Sequence, residues 1–145
     1  MNKLCPAICL LVLLTACGKY SHEFELDERS FGSDTIQMIE HDTGIDLATN
    51  AHGLNFFYTP PIDPAFAAKI EIPADSRTNL LVQLSRMKAE EIHVSSALGP
   101  RFKWWTPAQG KVLFDRQEMR TEGYLHAVLT EEGDRTILYL EWATR

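Results

Sequence analysis

The chain's five histidines are its natural acid–base groups and metal ligands: His22, His41, His52, His93 and His126. No two of them stand at H-x-H or at i and i+4 on a helical pattern, the spacings that place two imidazoles on one metal ion. His22 lies in an acidic stretch, His41 at the end of a helical pattern and His52 in an Asn50-Ala51-His52-Gly53 loop. His93 and His126 fall in strand-like pieces. Ordinary surface or half-buried histidines account for all five, so no metal and no cofactor is expected. Serine offers no better nucleophile. Ser33, Ser76 and Ser85 occupy capping or helix positions, and Ser95-Ser96 precedes Gly99-Pro100 with no G-x-S-x-G around it. Two facing carboxylates can hydrolyse a glycosidic bond. Asp42, Asp46 and Asp63, in or near loops, are the candidates for that chemistry. Phosphate-cradling glycine patterns do not occur.

A different chemistry is concentrated in Arg101-Phe102-Lys103-Trp104-Trp105-Thr106-Pro107. On an extended backbone adjacent side chains point to opposite faces, so one tryptophan would enter the core while the other looks outward. An exposed tryptophan flanked by arginine or lysine has the composition of a binding hot spot. Arg101, Lys103, Trp104 and Trp105 are therefore the candidate partner-binding residues. The plainer expectation for the same stretch is a lid on the sheet. The proline-rich stretch Tyr58 to Asp63 reads as a stiff hairpin closure.

Before any of this comes an apolar run. Asn2 and Lys3 give a short positive start, and Leu4 to Ala16 is apolar or small throughout. Thirteen residues are too few for a bilayer, which takes about 20. The pattern is that of an export signal. Its end, Leu14-Thr15-Ala16-Cys17, resembles the lipobox of bacterial lipoproteins. The resemblance implies a diacylglyceryl group on the Cys17 sulfur, cleavage before Cys17, and acylation of the new amino terminus, often with palmitate. Cys5 and Cys9 would leave with the signal, and Cys17, the one cysteine remaining, would be the anchor. Gly18 is not the aspartate that retains such proteins in an inner membrane, so the resemblance implies the outer membrane, facing the periplasm. The run from Gly44 to Pro73 and the paired tryptophans also resemble small lipoproteins of no assigned activity.

Loss of residues 1–16 takes Lys3 with it. The 14 basic residues become 13 against 20 acidic ones, and the formal charge moves from -6 to -7. An acidic surface argues against nucleic acid, whose binding rests on neutralising phosphates. No repeat or low-complexity tract appears. The segment 17–30, with Glu23, Glu25, Asp27 and Glu28, reads as an acidic tether, with at most a short strand at Phe24 and Leu26, leaving 31–145 as one globular domain.

The elements that must position the candidate residues follow from periodicity. Ser33 as N-cap, Asp34 in the first turn and Gly44 at the end bracket a helix from about Asp34 to Thr43. Leu54 to Thr59 reads as a strand. Phe66, Ala68, Ile70 and Ile72 alternate with Ala67, Lys69 and Glu71, a half-buried strand ended by Pro73. Asp75 or Ser76 caps a second helix to about Lys88, with Leu80, Leu81, Leu84 and Met87 on its apolar face. Lys111 to Arg116, Tyr124 to Thr130 and Arg135 to Trp142 are strands, the last two joined by Glu131-Glu132-Gly133-Asp134. The fold class is α+β, an antiparallel sheet of about five strands with two helices packed on one face. The expected function is a lipid-anchored, non-enzymatic module that binds a protein or envelope component, an inhibitor or immunity-type protein being one form. The alternative is an envelope enzyme acting on cell wall or glycan through loop carboxylates.

Overall fold

A computed structural model of the chain describes residues 22–60, 62–90, 92 and 98–144. The signal segment, Cys17, His93 and Ser95-Ser96 lie outside the described residues. Six strands form one antiparallel sheet: β1 (Phe24–Asp27), β2 (His52–Tyr58), β3 (Ala65–Ile72), β4 (Lys111–Met119), β5 (Gly123–Glu132) and β6 (Arg135–Thr144). Their spatial order is β1-β2-β3-β6-β5-β4. Helix α1 (Ser33–Thr43) connects β1 to β2, and α2 (Arg77–Leu84) follows β3. The class is α+β.

The sixth strand corrects the expected count. Phe24 and Leu26 alternate with Glu25 and Asp27, and β1 pairs with β2 from Phe24↔Tyr58 to Asp27↔Asn55. Phe24 stacks on Tyr58 at 5.4 Å. Residues 24–30 of the stretch read as tether are therefore a strand of the sheet and the turn that follows it. Its carboxylates are exposed, which is why composition alone resembles a solvated segment. Asp27 then turns the chain. Its Oδ1 accepts the Ser30 hydroxyl at 2.8 Å and the Ser30 and Arg29 amides at 3.1 Å. The Ser30 hydrogen bonds, that of the hydroxyl first, hold the Asp27 carboxyl below its usual range.

Helix α1 starts one residue before the expected point, with Gly32 rather than Ser33 at the N-cap. Its end is as read: Gly44 adopts φ 65°, a left-handed conformation that costs glycine little, and its amide donates to Glu40 O at 2.8 Å. Helix α2 is shorter than expected, stopping at Leu84. The Ser85 hydroxyl donates to Val82 O at 2.7 Å, and the Met87 amide donates to Leu84 O at 2.9 Å, tightening the last turn. Arg116 of β4 donates to Ser85 O at 3.3 Å and Met87 O at 2.8 Å, satisfying carbonyls that a helix end leaves open. Met87 still enters the core.

Strand β6 has every residue from Thr136 to Trp142 buried. Leu138, Leu140 and Trp142 join Phe56, Phe66, Ala68 and Ile70 in one cluster that also holds Ile39 of α1 and Leu80 and Leu84 of α2. Ile137 and Tyr139, which alternate with them, belong to a separate cluster with Val128. Both faces of the sheet therefore carry apolar surface.

A polar clamp ties the edge of the sheet to the helices. Arg120 Nε donates to Glu118 Oε2 at 2.6 Å, the Lys88 amide donates to Glu118 Oε1 at 3.2 Å, and Arg120 Nη1 donates to Thr43 O at the end of α1. Burial opposes ionisation of Glu118, but its hydrogen bonds to Arg120 and Lys88 outweigh burial and hold the carboxyl below its usual range. A depressed carboxyl adds stability above its unfolded pKa, and that stability is lost as pH falls through the folded value. Arg120→Ala should lower unfolding free energy by about 1 to 2 kcal/mol, the scale for charge-assisted hydrogen bonds in a pair that water partly screens. Urea titration at neutral pH and again near pH 3 checks this: the gap between variant and parent should shrink at the acidic end.

Candidate functional site

The stretch with hot-spot composition is not a strand. Two 3₁₀ turns, Gly99–Arg101 and Pro107–Gln109, bracket it, and between them the chain turns rather than extends. The expected division, one tryptophan in the core and one outside, therefore does not hold. Trp104 and Trp105 are both half-buried and both join the clusters opposite the helix residues. The reason is the sheet's second apolar face: Phe57, Ala67, Val128, Ile137 and Tyr139 need cover, and the 98–109 strap supplies it.

Aromatic contacts seat the strap residue by residue. Phe102 lies on Phe57 with centroids 4.6 Å apart, and Trp104 stacks on Phe102 at 5.1 Å and 11°. The Trp104 indole N–H donates to Glu25 Oε1 of β1 at 3.1 Å. Trp105 meets Tyr139 edge-on at 5.3 Å and comes within 6.4 Å of His126. Its indole also lies against Gly99: a Cβ there would stand 2.4 Å from the ring, so only glycine permits this closeness. Arg101 and Lys103 are exposed.

A buried carboxylate holds the start of the strap. Glu141, 3% exposed on β6, accepts the Leu98 amide at Oε1, and the Gly99 amide is near enough to favour the charged carboxylate. Among the described residues, Glu141 Oε2 is buried with no hydrogen-bond partner. Burial pushes the Glu141 carboxyl above its usual range, against the two amides and His126, which act the other way. His126 is the cross-strand partner of Glu141, and its Nε2 lies 2.9 Å from Asp115 Oδ1. Nearby, the Tyr139 hydroxyl donates to Glu132 Oε1, Thr106 Oγ1 lies 3.3 Å from that hydroxyl, and Lys69 Nζ is 3.3 Å from Glu132 Oε2. Burial first, then Glu132, raises the Tyr139 phenol. Burial does the same to Tyr124.

Other candidates stay apart. His41 pairs with Asp42 at 3.0 Å and His52 with Glu28 at 2.8 Å, while His22 is exposed. The Asp46 amide is bonded to Gln83 of α2 at 3.0 Å, and Asp63 sits in the loop before β3. Among the described residues no three His, Cys, Asp or Glu side chains converge to hold a metal ion. A cleft of about 540 Å³ opens between β1 and the start of α1, lined by Phe24, Leu26, Ser30, Gly32, Ser33, Asp34 and Thr35. No helix among the described residues is long and apolar enough to cross a membrane. Comparison with family models, curated proteins and solved structures gives no match.

Sequence reasoning missed Glu141 and His126. The alternation of β5 and β6 could have placed both on the second face, but only the register makes them neighbours. A carboxyl raised on folding binds its proton more tightly in the native state. Its contribution to stability is therefore full below the unfolded value near 4.5 and is lost as pH rises through the folded value. Glu141→Gln should remove that loss. Stability differences between parent and variant, measured by urea titration from pH 4 to 8, should move in favour of the variant as pH rises.

Proposed function

We propose that this is a small lipid-anchored protein of the bacterial envelope, held through Cys17 and facing the periplasm from the outer membrane. In this reading it works by binding a protein or envelope component rather than by catalysis. The lipobox at Leu14-Thr15-Ala16-Cys17 supports the anchor. The observation that carries the binding reading is the strap: exposed Arg101 and Lys103 flank a half-buried Trp104 on a segment braced by Phe57, Glu25 and Glu141. The outer side of the strap, with Arg101 and Lys103 exposed, is the surface offered to a partner in this reading. Bracing matters because an ordered contact loses less conformational entropy on binding. An inhibitor or immunity-type role suits such a module. The alternative is an enzyme acting on cell wall or glycan through loop carboxylates, with Asp42 and Asp46 near the end of α1 and Asp63 in the loop before β3.

Two measurements test the reading. Intact mass of membrane-extracted protein should show the chain starting at an acylated Cys17, and Cys17→Ala should move the protein to the soluble fraction. An unmodified cysteine, or cleavage elsewhere, refutes the anchor. For the strap, sedimentation of the Cys17→Ala chain with isolated envelope membranes should reveal residual affinity. Adding Trp104→Ala should lower the affinity of the folded fraction by about 2 kcal/mol, as loss of a hot-spot aromatic does, and should also lower the melting temperature, because its ring packs on Phe102. Equal binding by both chains would show that the tryptophan serves only as cover.

A further inference from the structure

Three features of separate origin meet at one end of the sheet. The first is the entry of the chain: Phe24 pairs with Tyr58, so β1 begins beside the loop that joins β2 to β3. The second is that loop. The Thr59 amide donates to Ala65 O at 2.9 Å, the Ala65 amide to Thr59 Oγ1 at 3.0 Å, and the Thr144 amide to Pro64 O at 2.9 Å. Between these braces stands Ile62, 94% exposed. The third is the tip of the strap. Phe102 rests on Phe57 and Trp104 is bonded to Glu25, the residues next to Tyr58 and Phe24, so Arg101 and Lys103 hang over the same end.

We infer that this end of the domain lies on the phospholipid surface that holds Cys17, with Ile62 at the headgroup–acyl boundary, Trp104 at headgroup level and Arg101 and Lys103 against lipid phosphates. The inference rests on the anchoring proposed above and names the envelope component that the strap meets. The seven Cα–Cα steps from Cys17 to Phe24 reach at most about 25 Å, and they enter the domain at this end, which keeps it near the bilayer. Residues 60, 61 and 64 are prolines and bring no amide donors that would go unsatisfied on leaving water. Tryptophan favours the membrane interface. Each cation there strengthens contact with an anionic leaflet by about fivefold. The rest of the acidic chain is repelled by the same leaflet, so the charge distribution orients the domain as well as attracting it. Asp63, next to Ile62, limits the contact to headgroup depth, because a carboxylate is costly in hydrocarbon.

The test uses lipidated protein reconstituted in vesicles of phosphatidylethanolamine and phosphatidylglycerol, with intact mass recorded for every sample. Ile62→Cys carries an environment-sensitive fluorophore. Val112→Cys, an exposed residue at the opposite end of the sheet, is the control. Acylated Cys17 is a thioether and does not react with the probe. The expected result is a blue-shifted emission, quenched by nitroxide lipid, at position 62 and an aqueous spectrum at 112. Arg101→Glu with Lys103→Glu should weaken the quenching at 62 several-fold at unchanged melting temperature. Aqueous spectra at both positions, with lipid on Cys17 verified, would overturn the inference. Shielding of position 62 in native membranes but not in pure lipid would also overturn it, by assigning the surface to a protein. Should mass show no lipid, the anchor fails instead. The same probe pattern is then required of a Cys17→Ser chain lacking residues 1–16, held on nickel-chelating vesicles by an N-terminal histidine tag, and its absence there rejects the lipid contact.

Discussion

Strand β6 is apolar on both faces, and the rest of the architecture answers that constraint. In an antiparallel sheet one face commonly meets water and the strands alternate cleanly. Here Leu138, Leu140 and Trp142 on one side and Ile137 and Tyr139 on the other all require cover. The first set is covered by a cluster that includes residues of both helices. Among the described residues the second is covered by the irregular strap at 98–109. Irregular backbone brings amides that no helix or ladder satisfies. Glu141 answers this by accepting the Leu98 amide from within the sheet. The clamp carries its own cost: burial opposes the ionisation that the amide favours, and among the described residues one carboxyl oxygen has no partner.

The edges are managed by charge. Glu131 receives Arg77 at the start of α2 and Lys111 at the start of β4, and these two cations hold its carboxyl below the usual range. Lys69 reaches Glu132 across the strap face and lies 5.1 Å from the centre of the Tyr139 ring. Such pairs are exposed or partly so and contribute little singly. What they do is fix which element sits beside which, and the strap inherits its position from them.

Periodicity made the class legible. The alternation of Phe66 to Ile72, the hairpin of β5 and β6, and the Leu80, Leu84, Met87 spacing each translate into buried faces, because burial follows strand and helix geometry directly. Gly44 was legible for a steric reason that needs no tertiary context. What stayed hidden depended on partners distant in sequence. Strand β1 exists because Tyr58 and Phe56 wait beside it, while its own carboxylates give it the composition of a tether. Helix α2 ends at Leu84, and the turn that follows is held by Arg116, on another strand, through the Ser85 and Met87 carbonyls. The tryptophans could be singled out by composition, yet their placement followed from a second apolar face that no local pattern announces.

The position of β6 has a consequence in time. It joins the β1-β2-β3 half of the sheet to the β5-β4 half, and it follows both of them in the chain. Neither half has its core until β6 arrives, and the closing contacts, such as Thr144 with Pro64, span 80 residues. Topologies dominated by distant pairings fold slowly, since loop-closure entropy is lost before the contacts that reward it form. A growing chain of this design remains open and threadable until nearly all of it has been made.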